Sequence, residues 1–375
     1  MALIAKNKLQ VLGIMNGTSL DGVDFVLTEI TKQVTKTLHC RYKAMQSFVF
    51  PSKLKNKLQL AVMNQMNVEQ LALLHHELGR FYAQCFKKLK FSPKLKKMDV
   101  IGLHGQTVFH KGRVASLQIG ESSYLAYAAN CPVISDFRAA DIALGGEGAP
   151  IATFFHQQAF GHIQKKLAVH NLGGISNLTL LSRGKVIQGF DTGPANMLMD
   201  LEIQRSSKGK ILFDKNGTTA KKGTANLALV NKMLSHSFFK KSAPKSCGRE
   251  EFGISFLNKF DKGLKLISLE DRLATLTEFI AETISYSYKH LTAFIPTEII
   301  FCGGGANNVF LLSLIKEKLP LVKISTVVDY QWSEKSIEGA AFALLAAAKV
   351  WNIPSNIPAS TGAAKKIVLG KITSI

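Results

Sequence analysis

Apolar residues come in short runs separated by glycine-rich polar turns, the pattern of buried strands alternating with helices. Leu9–Met15 and Val23–Ile30 read as neighbouring strands, joined through Asn16-Gly-Thr-Ser-Leu-Asp-Gly22. From Lys53 to Lys90 apolar residues recur at helical intervals, with a break near residue 67. Met98–Leu103 reads as a strand running into His104-Gly-Gln-Thr-Val-Phe-His110. Gln118-Ile-Gly120 leads into another helix, and Pro132–Phe137 reads as a short strand. The pattern then restarts. Leu167–Leu172 is a strand, Gly173–Ser176 a turn and Asn177–Leu181 the return strand. Val186–Phe190 follows and ends at Asp191-Thr-Gly-Pro194, with a helix beginning near Ala195. Such alternation predicts an α/β architecture. A strand, a polar turn and a second strand open both halves, as in a duplicated two-lobed fold, with a nucleotide expected in the cleft between lobes near the strand ends.

Composition narrows this picture. A chain of 375 residues exceeds the size at which one core keeps growing, and 46% hydrophobic with 19% charged residues is an ordinary globular balance. The formal net charge is +21, with basic clusters at Lys53–Lys57, Lys87–Lys97, Lys221–Lys222 and Lys240–Arg249. These clusters lack regular aromatic interleaving and any recognised nucleic-acid motif, so a solvated basic surface is expected and no nucleic-acid partner. Five cysteines (Cys40, Cys85, Cys131, Cys247 and Cys302), none in a C-x-x-C pair, predict reduced thiols rather than disulfides or a zinc site. The apolar stretch Ala340–Ala348 is too short to span a bilayer, and Lys6 and Lys8 interrupt the start, so no membrane association or secretory leader is expected.

Three segments carry candidate chemistry. In Gly17-Thr-Ser-Leu-Asp-Gly-Val-Asp24 the glycines permit positive φ, and the hydroxyls of Thr18 and Ser19 add donors beside backbone N–H groups that can cradle an anion. Asp21 and Asp24 offer carboxylates to a magnesium ion, directly or through water. The competing reading is an ordinary decorated turn. Asp191 closes an apolar strand before Gly193-Pro194, which suits either a general base on a rigid element or a cap on the next helix. Gly303-Gly-Gly-Ala-Asn-Asn308 lies between the strand Glu298–Cys302 and the helix Val309–Lys318, where a ligand can approach the backbone closely. Neither a G-x-G-x-x-G fingerprint nor a P-loop is present. His104 and His110 lack metal-site spacing, so His104, Gln106 and Thr107 read as a polar substrate-facing loop. Arg138 either clamps a carboxylate or pairs with Asp136 or Asp141, and Glu338 either meets a sugar hydroxyl or caps the helix Gly339–Lys349.

Together these segments resemble the anhydro-N-acetylmuramic acid kinase family, within the superfamily of sugar kinases, heat-shock chaperones and actin. The matching segments are Met15–Asp24, His104-Gly-Gln-Thr-Val, Asp136-Phe-Arg, Gly145–Pro150, Asn171–Asn177, Phe190–Asn196, Lys245–Glu250, Cys302–Asn308 and Thr361-Gly-Ala, collinear over nearly the whole chain. The resemblance implies a two-lobed actin-like ATPase fold of duplicated ribonuclease-H-like domains. The first lobe is expected at 1–135 plus about 354–375, and the second at 136–353. It also implies conversion of 1,6-anhydro-N-acetylmuramic acid, ATP and water to N-acetylmuramic acid 6-phosphate and ADP, in cytoplasmic cell-wall recycling. By the same likeness Asp191 activates the water, and Gly17 through Asp24 hold ATP phosphates with Mg2+ at Asp21 and Asp24. Gly173, Gly174, Gly303, Gly304, Gly305 and Asn308 complete the nucleotide site. His104, Gln106, Thr107, Arg138 and Glu338 lie on the sugar side, and a homodimer is expected. Several positions depart from the family pattern: Asn16 stands where serine is common, Ala195 for glycine, Cys247 for threonine, and Tyr330–Glu338 diverges. Two rivals share the fold: another sugar or carboxylate kinase, and a non-enzymatic nucleotide-gated or basic nucleic-acid-binding protein.

Overall fold

The computed structural model describes residues 5–17, 20–34, 37–91, 97–163 and 165–374. Its strands are β1 (Lys8–Met15), β2 (Gly22–Lys32), β3 (Leu38–Val49), β4 (Val100–Leu103), β5 (Gln106–Lys111), β6 (Ala115–Ile119) and β7 (Val133–Ser135). They continue as β8 (Leu167–Leu172), β9 (Ile175–Ser182), β10 (Lys185–Pro194), β11 (Glu298–Cys302), β12 (Lys323–Thr326) and β13 (Lys371–Thr373). The chain divides into two compact units, Met1–His162 with Lys335–Ile375, and Ile163–Glu334.

Each unit contains the same five-strand arrangement. In the first unit the sheet order is β13-β7-β4-β1-β2-β3. β1, β2 and β3 form an antiparallel meander, while β4 and then β7 add in parallel beside β1. In the second unit the order is β10-β9-β8-β11-β12, again a meander followed by two parallel strands. The duplicated α/β design expected from the sequence is therefore present strand for strand, with β13 as an extra edge on the first sheet. β3 has no apolar run to mark it. It lies at a sheet edge and carries His39, Arg41 and Lys43, with most of its side chains only partly covered.

Close backbone contact explains where the units divide. The alanine-rich helix Ser336–Val350 packs directly on the first sheet. A Cβ on Gly13 would strike the Gly339 carbonyl, and one on Gly102 would strike that of Phe342. Asp141 is fully buried and accepts hydrogen bonds from Asn356 Nδ2 (3.0 Å), Thr361 Oγ1 (2.7 Å) and the Gly148 N–H (2.9 Å). Residues 136–162 and 335–353 thus belong to the first unit. The boundaries fall at 162/163 and 334/335 rather than at 135/136 and 353/354. The helical region after Lys53 breaks where expected: Asn67 caps the helix Val68–Lys87, exchanging hydrogen bonds with Gln70.

The first unit's core joins the inner faces of β1, β2 and β4 to Leu54, Leu58, Leu74, Leu78 and Tyr82 of the two helices after β3. The second unit is built around the helix Leu269–His290, whose Phe279 meets Phe239 and Phe256 in an aromatic cluster. Burying rings of this size contributes about 1.5–3 kcal/mol each, the main force holding these helices on their sheets.

Candidate active site

Parallel strands end on one edge of each sheet, and the candidate residues gather there. In the second unit β8 ends before Gly173-Gly174, β11 ends before Gly303-Gly304-Gly305, and β10 carries Asp191 near its end. In the first unit β1 delivers Asn16, β4 delivers His104 and β7 delivers Asp136.

Asp191 is 7% exposed and sits where the β9–β10 register slips, between Asp191 and Gly193. Its Oδ2 accepts the Cys247 N–H at 2.9 Å, and its own N–H donates to the Lys245 carbonyl at 3.0 Å. The segment Lys245–Cys247 therefore grips both backbone and carboxylate of Asp191. The Lys245 ammonium is buried, donates to the Phe238 carbonyl at 3.1 Å and lies 4.4 Å from the Phe238 ring centroid. Burial lowers the Lys245 pKa to about 8, opposed by the negative charge of Asp191. Burial, reinforced by Asp191, pushes the Cys247 thiol well above its usual range, so it stays protonated. Asp191 does not cap the following helix. Ala195 occupies that position without a side-chain bond, and the N–H groups of Ala195, Asn196 and Met197 donate to the carbonyls of Gly174, Gly173 and Gly174. A carboxylate so held on a strand can accept a proton in one fixed direction.

The glycine loops beside it have distinct constraints. Gly303 has φ +79°, and a Cβ there would strike Asn171 Oδ1; Gly305 packs against Leu172 and Asn196. Only open space lies over Gly304, leaving its backbone approachable. The Asn308 side-chain carbonyl caps the helix Val309–Lys318 by accepting the Leu311 N–H at 3.0 Å.

In the first unit, Thr18 and Ser19 lie outside the described residues. Among the described residues of this turn Leu20 is left-handed, with φ +58° and its side chain buried. Gly22 is needed for another reason: a Cβ there would collide with the Phe48 carbonyl of β3. Leu20 and Val23 point into the core, so only their backbone can meet a ligand. The Asp21 side chain is 67% exposed and pairs with Lys55 at 3.1 Å. Asp24 accepts from Ser47 Oγ at 2.5 Å. Burial raises the Asp24 pKa, against the opposing pull of Ser47 and Lys335. Among the described residues no group of three or more His, Cys, Asp or Glu is arranged to hold a metal. Magnesium takes one or two carboxylates plus waters and phosphates, and a desolvated carboxylate such as Asp24 gains from a nearby cation.

The remaining polar residues join into a network. Asn16 Nδ2 donates to Tyr82 Oη at 2.6 Å and to Gln106 Oε1 at 3.2 Å. Gln118 Nε2 donates to Thr107 Oγ1 at 3.2 Å. Arg138 donates to the Gly148 carbonyl at 2.9 Å and to His104 Nε2 at 3.1 Å, which leaves the imidazole proton on Nδ1. Burial, aided by the Arg138 charge, holds the His104 pKa well below its usual value and lowers that of His110 to about 4. Asp136 pairs with Lys371 at 2.6 Å. Glu338, half-buried, opens the helix on β1. Asn16 Oδ1, His104 Nδ1 and His110 Nε2 are buried without a protein hydrogen-bond partner, a set that hydroxyls of a polar ligand can satisfy. The sequence alone gives no sign of the roles of Tyr82 or of the Lys245–Cys247 grip. Tyr82 looks like one more apolar helix position, and Lys245 is far from Asp191 along the chain.

The sequence pattern of the family described as anhydro-N-acetylmuramic acid kinase matches residues 9–375. A protein of that name from Synechococcus elongatus is 34% identical over 377 residues, covering 97% of this chain and 99% of its own. Another from Photobacterium profundum is 36% identical over 373 residues, covering 96% and 97%. Among solved structures, component A of the (R)-2-hydroxyglutaryl-CoA dehydratase from Acidaminococcus fermentans overlaps 91% of this chain and 99% of that one. Its TM-score is 0.45 at 11% identity.

Proposed function

Because the chain belongs to the anhydro-N-acetylmuramic acid kinase family, we propose that it carries out the reaction this name describes. The protein is a kinase acting on a small sugar. In the reaction proposed here, water attacks the anomeric carbon of 1,6-anhydro-N-acetylmuramic acid. The C1–O6 bond breaks and O6 takes the γ-phosphoryl group of ATP, giving N-acetylmuramic acid 6-phosphate and ADP.

Asp191 accepts the proton of the attacking water. What supports this role is the buried carboxylate on a strand end, with the Cys247 N–H fixing one oxygen at 2.9 Å. Positioning counts for more than basicity here, since the leaving alkoxide is captured by phosphoryl transfer. The backbone of Gly17–Asp24, together with Gly173, Gly174 and Gly303–Gly305, binds the nucleotide. The open space over Gly304 leaves its backbone approachable, and Asn308 caps the helix that follows. Asp21 and Asp24, directly or through water, would hold Mg2+, which would neutralise charge on the phosphate oxygens. His104, Gln106, Thr107, Arg138 and Glu338 orient the sugar. Burial keeps His104 neutral, so Nε2 accepts from Arg138 and the single ring proton sits on Nδ1 as a hydrogen-bond donor. Among the described residues no helix is long and apolar enough to cross a membrane, and the need for ATP argues for work in the cytoplasm.

The test is turnover of the anhydro-sugar with ATP and Mg2+ in oxygen-18 water. The expected product has label at C1 and none in the phosphate. ADP formation without ring opening would overturn the coupled reaction.

A further inference from the structure

His170, a buried titratable group on β8, has no part in the chemistry above. It is fully buried, and burial lowers its pKa to about 3, so it stays neutral. Thr192 Oγ1 donates to Ser176 Oγ at 2.6 Å and approaches the Ser176 carbonyl at 3.2 Å. Ser176 Oγ lies 2.6 Å from His170 Nε2, and His170 Nδ1 lies 2.8 Å from Tyr288 Oη. With the Thr192 hydroxyl donating, Ser176 donates in turn to Nε2, and Nδ1–H donates to Tyr288. Phe301 covers the imidazole at 5.3 Å between ring centroids. The chain joins four elements: β8, the start of β9, β10 and the helix Leu269–His290.

Polar side chains this deep add little net stability over apolar ones of the same shape, but a satisfied network selects a single arrangement. The location shows what is selected. Asn177 faces Asp191 across the ladder and Ser176 faces Gly193, so Thr192 is the extra residue of a bulge. Bulges re-aim the neighbouring side chain. Here the hydroxyl of the bulged residue is tied to the strand opposite and, through His170, to the strand that ends at Gly173-Gly174.

We propose that the Thr192–Ser176–His170–Tyr288 chain sets the aim of the Asp191 carboxylate, with Thr192 and His170 as positioning residues that do not touch substrate. The inference rests on Asp191 being the base. Thr192→Val keeps the side-chain shape and removes the hydroxyl, whereas Thr192→Ser keeps the hydroxyl. With Thr192→Val, kcat is expected to fall about 10- to 100-fold, the loss typical of an ångström-scale misplacement, with the KM values for sugar and ATP nearly unchanged. Thr192→Ser should restore most of kcat. Crystal structures of both variants supply a readout that needs no turnover: Asp191 Oδ2 should leave the Cys247 N–H in Thr192→Val and stay in Thr192→Ser. An Asp191 carboxylate unmoved in Thr192→Val overturns the inference, as does an unchanged kcat or a parallel change in kcat and KM. If Thr192→Val does not fold, Ser176→Ala removes the next link and is read the same way. A wild-type enzyme that leaves the anhydro-sugar intact sinks the functional reading, while the position of Asp191 still decides this one.

Discussion

The two units share a strand order and yet finish the same sheet edge in opposite ways. In the second, Asp191 is 7% exposed, gripped by backbone groups of Lys245 and Cys247 and set on a bulge. In the first, the same edge carries Asp21, largely exposed beside Lys55, and Asp24, tethered by the Ser47 hydroxyl. A base that must meet one proton from one direction needs the first kind of mounting. Groups that meet a phosphate tail and a hydrated cation need reach more than aim. Duplication supplies two equivalent edges, and local packing mounts their carboxylates differently.

The largest effect that would break this contrast is at Asp191. Asp191→Asn keeps shape and can still accept the Cys247 N–H, but it cannot take a proton from water. Turnover should fall by about 10²–10⁴-fold while ATP affinity stays unchanged, measured by steady-state kinetics and nucleotide titration. Near-normal turnover would make the braced edge a structural feature only.

Acid stability should separate the units next. His104, His110 and His156 in the first unit have pKa values lowered chiefly by burial, to well below the usual value, about 4 and about 3; in the second, His170 is lowered to about 3 and the less buried His236 is lowered too. A histidine depressed in the folded state is protonated first in the unfolded chain. The stability it preserves is present above pH 6.5 and is lost as pH falls below that value. Between pH 7 and pH 5 each fully buried histidine should cost about 2 kcal/mol. Hydrogen exchange at the two pH values should show the first unit opening more readily, and equal loss in both units would contradict the asymmetry.

Some of this was legible in the chain and some was not, for physical reasons. The strands around Asp191 and the turn at Gly173 announce themselves because apolar runs and glycine turns are local signals. β3 is silent, since an edge strand with few fully buried positions needs no apolar run. The unit boundary after Glu334 depends on Gly13, Gly102 and Gly339 letting a helix lie against β1 and β4, contacts that join distant parts of the chain. The grip of Cys247 on Asp191 escapes for the same reason: a backbone N–H has no residue signature. Asp141 looks like a charged, flexible loop residue, yet it is the fully buried hub of the Gly145–Pro150 segment.

Within the second unit, Gly303 and Gly304 separate folding from binding. Gly303→Ala forces a side chain into the left-handed region against Asn171 and should cost about 1–3 kcal/mol, seen as a lower Tm. Gly304→Ala meets no protein atom, so Tm should hold while KM for ATP rises about tenfold, a 1.4 kcal/mol loss of close approach. An unchanged KM would move the nucleotide away from this loop.

The smallest effect lies in the first unit and tests whether its two carboxylates are equivalent. Asp21 is exposed, and its pair with Lys55 is of the surface kind that contributes about 0–1 kcal/mol. Asp21→Asn should therefore leave Tm unchanged and raise the Mg2+ concentration for half-maximal activity by no more than about fivefold. Asp24 is more enclosed, and burial raises its pKa because its charge lacks water. A cation relieves that cost, so Asp24→Asn should raise the Mg2+ requirement more than Asp21→Asn does. Without the metal, the neutral amide should leave stability equal or slightly improved, since a desolvated charge is gone. If both variants shift the Mg2+ requirement equally, the two carboxylates act through the same water shell and the burial of Asp24 has no part in metal binding.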